Sequence, residues 1–146
     1  MKKIMFVCTG NTCRSAMCQC IMRKLIRDGE IKGLEVSSSG ISVTESSINQ
    51  MSKKALKEIG VRAGKFTPKQ VSKELVLEQD AVICMTEAQK NAFVGFNNVY
   101  SINQLTGVGD VVDPYGKGIE VYVETALILK KACEKLIKIL KDENLL

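Results

Sequence analysis

The strongest constraint on the fold lies at the front of the chain. The apolar run KKIMFVC, residues 2–8, has the character of a buried strand and stops at the turn-forming TGNT. Directly after it, SAMCQCIMRKLIRDG reads as a helix, with the pairs Met17/Cys18, Ile21/Met22 and Leu25/Ile26 recurring every four residues. Strand, tight turn and helix in that order open a β-α-β unit, whose next strand must lie parallel to the first. The rest of the chain continues the alternation. GLEVSSSG is a second strand, and SSINQMSKKALKEIGV is a helix closing at Gly60. FTPKQVSKELVLEQ is expected to form a short helix with Thr67 as cap and Pro68 at its first position. DAVICMT reads as a third strand, EAQKNAF as a helix and NVYSIN as a short fourth strand. From Gly118 to about Lys141 one long helix is expected, with Tyr122, Ala126, Leu129, Cys133, Leu136 and Leu140 on one stripe.

No repeat, low-complexity tract or linker interrupts this order. The expectation is one domain, residues 1–146, of the α/β class: a doubly wound, four-stranded parallel sheet with helices on both faces. Ligands in such sheets bind beyond the carboxyl ends of the strands, where the strand order reverses. The loop CTGNTCRS, between the first strand and the first helix, lies at such a place.

Composition narrows what that loop can do. There is no histidine among the 146 residues, which removes Ser-His and Cys-His catalysis and most zinc chemistry. The net charge of +5 suits an anionic partner but is too small and scattered to argue for nucleic acid. The apolar run after Lys2 and Lys3 ends too soon for a signal-peptide core, and no segment approaches a membrane span. A cytoplasmic protein with no membrane partner is therefore expected, its six cysteines mostly reduced thiols.

Three readings of the loop compete. A zinc or iron–sulfur site fits poorly, because Cys8, Cys13, Cys18 and Cys20 match no usual ligand spacing. Cys18 and Cys20 would also lie roughly 200° apart around a helix. An FMN-binding electron carrier of flavodoxin type shares the TGNT turn. Its loop uses neutral donors, however, and the aromatics that stack on a flavin are scarce here.

The third reading accounts for more residues. Gly10 allows loop N–H groups to turn inward as an anion nest, and the helix start adds further N–H groups and a positive dipole end. Arg14 can hold two oxygens of a bound oxyanion at once. The same field favours the thiolate of Cys8, a nucleophile aimed at phosphorus. Ser15 can donate to that sulfur when it departs. Displacement at phosphorus needs a proton for the leaving group, and a carboxylic acid is the natural source without histidine. GDVVDPYGKG offers Asp110 and Asp113; Asp113, held extended before Pro114, takes the catalytic role, and Asp110 that of a turn or cap residue.

With these residues in place, the chain resembles the low-molecular-weight protein tyrosine phosphatase family over nearly its whole length. The resemblance rests on VCTGNTCRS, SSSG, AVICMT and DPYG in that order. It implies a phosphocysteine intermediate without metal or cofactor, with Cys8 as nucleophile, Arg14 as phosphate clamp and Asp113 as general acid, then base. The phosphate-binding loop would comprise Thr9, Gly10, Asn11, Thr12, Cys13 and Ser15. Asn11, Ser15 and Ser38 would support it, and Tyr115 would wall the cleft. The implied partners are a phosphorylated protein substrate and inorganic phosphate or other oxyanions.

Within the family, Thr12 and GDVVDPYG resemble the bacterial protein arginine phosphatases, since tyrosine phosphatases usually carry a larger aliphatic residue at the position of Thr12. Phosphoarginine is thus the expected substrate and phosphotyrosine the alternative. The arsenate reductase branch would need a relay of cysteines. Cys84 falls near one such position, but Asn91 stands where its partner is expected, so Cys84 reads as core, as do Cys18, Cys20 and Cys133. Ala16 replaces the proline common after the loop serine, with little functional consequence expected. Cys13 shares the curved loop with Cys8 and is a candidate redox partner for it.

Overall fold

A computed structural model describes residues 2–144. Its sheet contains β1 (Lys2–Cys8), β2 (Leu34–Gly40), β3 (Ala81–Cys84) and β4 (Val99–Ser101). The strands are all parallel, in the order β2-β1-β3-β4. The helices are α1 (Arg14–Asp28), α2 (Gln50–Glu58), α3 (Lys73–Leu77), α4 (Glu87–Lys90), α5 (Ile102–Thr106) and α6 (Ile119–Asp142). From β1 the chain steps to one neighbour through α1 and later to the other, so the order reverses beside the carboxyl end of β1. That end is Cys8, aligned with Gly40 of β2.

The period of two along β1 divides the core. Ile4, Phe6 and Cys8 face α1 and α6, where Met17, Ile21, Tyr122, Leu129 and Leu136 are buried. Met5 and Val7 face the opposite layer, with Val76, Phe93 and Val99. Each such aliphatic or aromatic side chain contributes about 1.5–3 kcal/mol on full burial. This two-sided packing makes the strand under the loop a stiff platform. The expected stripe of α6 faces inward, from Tyr122 to Leu136, with Leu140 partly buried at its end. Cys18 and Cys133 meet across the α1–α6 contact with their sulfurs 3.5 Å apart.

Two local expectations fail. Thr67 and Pro68 do not start a helix: α3 begins only after Ser72, whose Oγ accepts from the Leu75 N–H at 3.1 Å. The chain before it is extended and pairs with the end of β2. Gly40 N–H donates to Lys69 O at 2.8 Å, and Val71 N–H donates to Gly40 O at 2.9 Å. These bonds to an open strand end outweigh the weak helix-start signal of Pro68. Likewise Ile102 and Asn103 do not extend β4 but open α5, capped reciprocally by Ser101 and Gln104.

No helix among the described residues is long and apolar enough to cross a membrane.

Candidate active site

The thiol of Cys8 lies at the floor of a cavity of about 220 Å³ at the carboxyl end of β1. Donors converge on its sulfur. Asn11 N–H lies 3.3 Å away, Ser15 N–H 3.5 Å and Ser15 Oγ 2.9 Å. Asn11 Nδ2 donates to Ser15 Oγ at 2.8 Å, which occupies the hydroxyl as acceptor; its own proton has two acceptors in reach, Cys8 Sγ at 2.9 Å and Ser39 O at 3.4 Å. Donors so placed stabilise negative charge on Cys8 both when it attacks and when it leaves.

Asn11 is the pivot of the loop. It is fully buried and left-handed, with φ of 56°. Gly10 has no positive φ, so the unusual backbone expected there belongs to Asn11 instead. Asparagine tolerates that region, and three side-chain bonds hold it in place. Nδ2 donates to Ser15 Oγ and, at 3.0 Å, to Ser38 Oγ, while Oδ1 accepts from Lys69 N–H at 2.9 Å. Ser38 donates in turn to Gln19 Oε1. Gly10 lines the cavity, where a Cβ would make only ordinary contact with Thr12 Oγ1 at 3.7 Å.

Gly40 permits the loop to sit against β2. A Cβ there would lie 2.7 Å from Thr9 O and 3.0 Å from Asn11 N, both backbone atoms that cannot yield without moving the loop.

Arg14 leads α1 and is 6% exposed. Nη1 donates to Val111 O at 3.2 Å, and Nη2 stands 3.7 Å from Asp113 Oδ2. Its Nε is buried without a protein partner. A buried, unpartnered donor on a cation costs free energy unless an anion occupies the cavity. Asp113 lies opposite, its side chain half exposed, and its Oδ1 accepts from Tyr115 N–H at 3.1 Å. The carboxyl therefore stands at the mouth, between the clamp and solvent. Asp110 accepts from Glu87 N–H at 3.0 Å, capping α4 away from the chemistry.

Of the residues singled out in the sequence, Cys8, Thr9, Gly10, Thr12, Cys13, Arg14, Asp113 and Tyr115 line the cavity. Asn11, Ser15 and Ser38 are buried beneath it. Thr12 directs its hydroxyl at no loop N–H; its nearest polar partner is Cys13 Sγ at 3.8 Å. Cys13 also donates to Tyr122 OH at 3.9 Å, and burial raises that phenol above its usual range.

Sequence reasoning missed several members. Gln19, a polar residue on the buried face of α1, was a readable signal. Gln89, whose Nε2 donates to Thr9 Oγ1 at 3.3 Å, and the rim residues Ser42, Thr44 and Glu45 carried none.

Cys18, Cys20 and Cys84 are poor nucleophiles. Burial pushes the Cys84 thiol up to about 12 and that of Cys20 up to about 11, and Cys18 is raised as well. Among the described residues, no group of three or more His, Cys, Asp or Glu side chains could hold a metal ion. A larger cavity of about 340 Å³ opens at the opposite end of the strands, lined mainly by apolar groups such as Ile4, Ile83 and Leu136, and contains none of these catalytic groups.

Known proteins share this architecture. The chain is 33% identical to the protein-arginine-phosphatase of Geobacillus stearothermophilus, over 97% of this chain and 98% of that protein. It is 34% identical to the low-molecular-weight protein-tyrosine-phosphatase PtpB of Staphylococcus haemolyticus, over 84% of this chain and 88% of that one. A solved structure of the YwlE arginine phosphatase, a cysteine-to-serine mutant with a phosphorylated active-site serine, superposes with a TM-score of 0.88. The two are 28% identical, with 95% of each chain covered. The family model for low molecular weight phosphotyrosine protein phosphatase matches residues 3–145. The chain belongs to the low-molecular-weight phosphotyrosine protein phosphatase family, and is a cysteine-dependent phosphatase.

Proposed function

We propose that this phosphatase hydrolyses phosphoarginine in protein substrates, as one domain spanning residues 1–146 that acts in the cytoplasm without metal or cofactor. The observation that carries the chemistry is the convergence of donors on Cys8 Sγ in a cavity that Arg14, with its buried Nε unpartnered, also lines. Arg14 and the N–H groups of residues 9–14 hold the phosphoryl oxygens. Cys8 attacks phosphorus, forming the S–P bond as the bond to the leaving nitrogen breaks. Asp113 delivers its proton to that nitrogen. Asp113, now ionised, takes a proton from water, whose oxygen attacks phosphorus. The S–P bond breaks, phosphate departs and Ser15 steadies the returning thiolate. Inorganic phosphate and similar oxyanions should inhibit by occupying the cradle; neither nucleic acid nor a membrane is required.

The choice of phosphoarginine rests on the mouth of the cavity. Phosphoarginine brings a narrow planar group rich in N–H donors, whereas phosphotyrosine brings a flat apolar ring. Thr12 is short, and its hydroxyl is not committed to the loop backbone, so it can accept from a guanidino N–H. A larger aliphatic there would leave such donors unpaired, at about 1–3 kcal/mol each. The near-full-length similarity to an arginine phosphatase supports the same choice. The exposed ring of Tyr115 favours the second reading, phosphotyrosine, because it offers an apolar wall.

Thr12→Ile is expected to lower kcat/KM on phosphoarginine peptides relative to phosphotyrosine peptides by at least about tenfold. Steady-state kinetics on both series with one preparation would test this, and an unchanged ratio would favour phosphotyrosine.

Redox protection gives a separate prediction. Oxidation of Cys8 by peroxide yields a sulfenic acid, and attack by the Cys13 thiol would expel water and leave a reducible disulfide. After peroxide and then a thiol reductant, the native protein should recover its activity and Cys13→Ala should recover much less. Full recovery of Cys13→Ala would remove Cys13 from this role.

A further inference from the structure

The catalytic cavity does not end at its rim. A second cavity of about 270 Å³ adjoins it and shares three of its walls, Thr12, Glu45 and Tyr115. The irregular chain between β2 and α2 supplies its other side with Ser47 and Asn49, joined by Gln50 at the start of α2. A phosphorylated side chain seated on Cys8 would leave its own backbone at the shared wall. The next residue of the substrate would then lie over the second cavity.

The lining of this chamber specifies what it can receive. Glu45 is the one ionised side chain among the described residues that form it. That carboxylate is exposed and makes no salt bridge or hydrogen bond among the described residues. Tyr115 is 68% exposed, so its ring face is available to a ligand. Asn49 has no free acceptor oxygen to offer, because its Oδ1 already accepts from Met51 and Ser52 N–H groups at the start of α2. An unpaired carboxylate and an open aromatic ring in one cavity form a receptor for a cation on an aliphatic stem. The ring covers the stem or faces the charge, and the carboxylate accepts its N–H donors.

We infer that the second cavity is a specificity subsite for a lysine or arginine side chain neighbouring the phosphorylated residue, with Glu45 as its charge-selecting group. The subsite lies beside the phosphoryl cradle and acts whichever residue carries the phosphate. It therefore goes beyond the choice of phosphoarginine.

The test uses two series of peptides. Phosphoarginine and phosphotyrosine peptides each carry lysine, alanine or glutamate at the flanking positions, one position at a time, and kcat/KM is measured for each. The native enzyme should prefer lysine over alanine by about three- to tenfold at one flanking position, chiefly through KM, with glutamate poorest. The preference should shrink as ionic strength rises. Glu45→Gln should reduce the lysine-to-alanine ratio to near one, and Glu45→Lys should turn the preference toward glutamate. Equal kcat/KM for lysine and alanine at every flanking position in the native enzyme would overturn the subsite. So would a lysine preference that survives in both Glu45 variants. The ratio between the phosphoarginine and phosphotyrosine series reads the substrate class separately, so either conclusion can fail without the other.

Discussion

Cys8→Ser is expected to lose at least about 10⁴ in turnover while still binding phosphate or vanadate. The oxyanion is held by Arg14 and the loop, whose geometry rests on Asn11, Ser38 and Gly40 rather than on the sulfur. Serine keeps a hydroxyl at the floor of the cavity, within the same ring of donors. What it lacks is nucleophilicity at neutral pH and, above all, the ability to leave: an alkoxide departs from phosphorus far less readily than a thiolate. A serine that does capture a phosphoryl group should therefore retain it. The YwlE relative, whose active-site serine is phosphorylated, is an instance of such a species. Phosphate-release kinetics and calorimetric titration with vanadate would separate the two effects. Turnover within tenfold of the native enzyme would remove Cys8 as nucleophile. Loss of anion binding together with turnover would mean that the sulfur also holds the loop.

Local signals and tertiary ones differ sharply in how well the sequence displays them. The β1–loop–α1 junction is legible because everything that shapes it lies within one short stretch: an apolar strand, a turn and an amphipathic helix. Asp113 is legible because Pro114 fixes its backbone extended. Asn11 misleads in the opposite way. The glycine beside it is the usual choice for unusual backbone angles, but the left-handed position went to the residue whose side chain could be anchored from 27 and 58 residues away. The same long-range bonding displaced the start of α3, since Lys69–Val71 is extended by its contact with Gly40. Propensity could not register that contact. Gln19 could have been found, because a glutamine among buried apolar residues needs a polar partner, and Ser38 supplies it. Glu45 could not, since an irregular rim loop has no periodicity to reveal which way it faces.

Asp113→Asn separates proton transfer from binding. The carboxyl stands 3.7 Å from Arg14 Nη2, at the mouth where a leaving group must exit. Asparagine preserves the shape and still accepts from Tyr115 N–H through its amide oxygen, so the turn before Pro114 should survive. It cannot, however, deliver a proton. Turnover on substrates whose leaving group must be protonated should fall by roughly 10²–10⁴. With p-nitrophenyl phosphate, whose leaving group departs readily as an anion, the loss in the phosphorylation step should be much smaller. Water attack on the phosphocysteine also lacks its base, so phosphocysteine should accumulate and a burst of p-nitrophenol should precede a slow steady state. The substitution removes a negative charge beside Arg14, so inorganic phosphate should inhibit the variant as well as or better than the native enzyme. That gain should be small, because the pair is half open to water and screened. Equal losses on both substrates, with no burst, would assign Asp113 to holding Arg14 instead of to proton transfer. Unchanged phosphate inhibition alongside a large loss limited to poor leaving groups would still identify it as the acid.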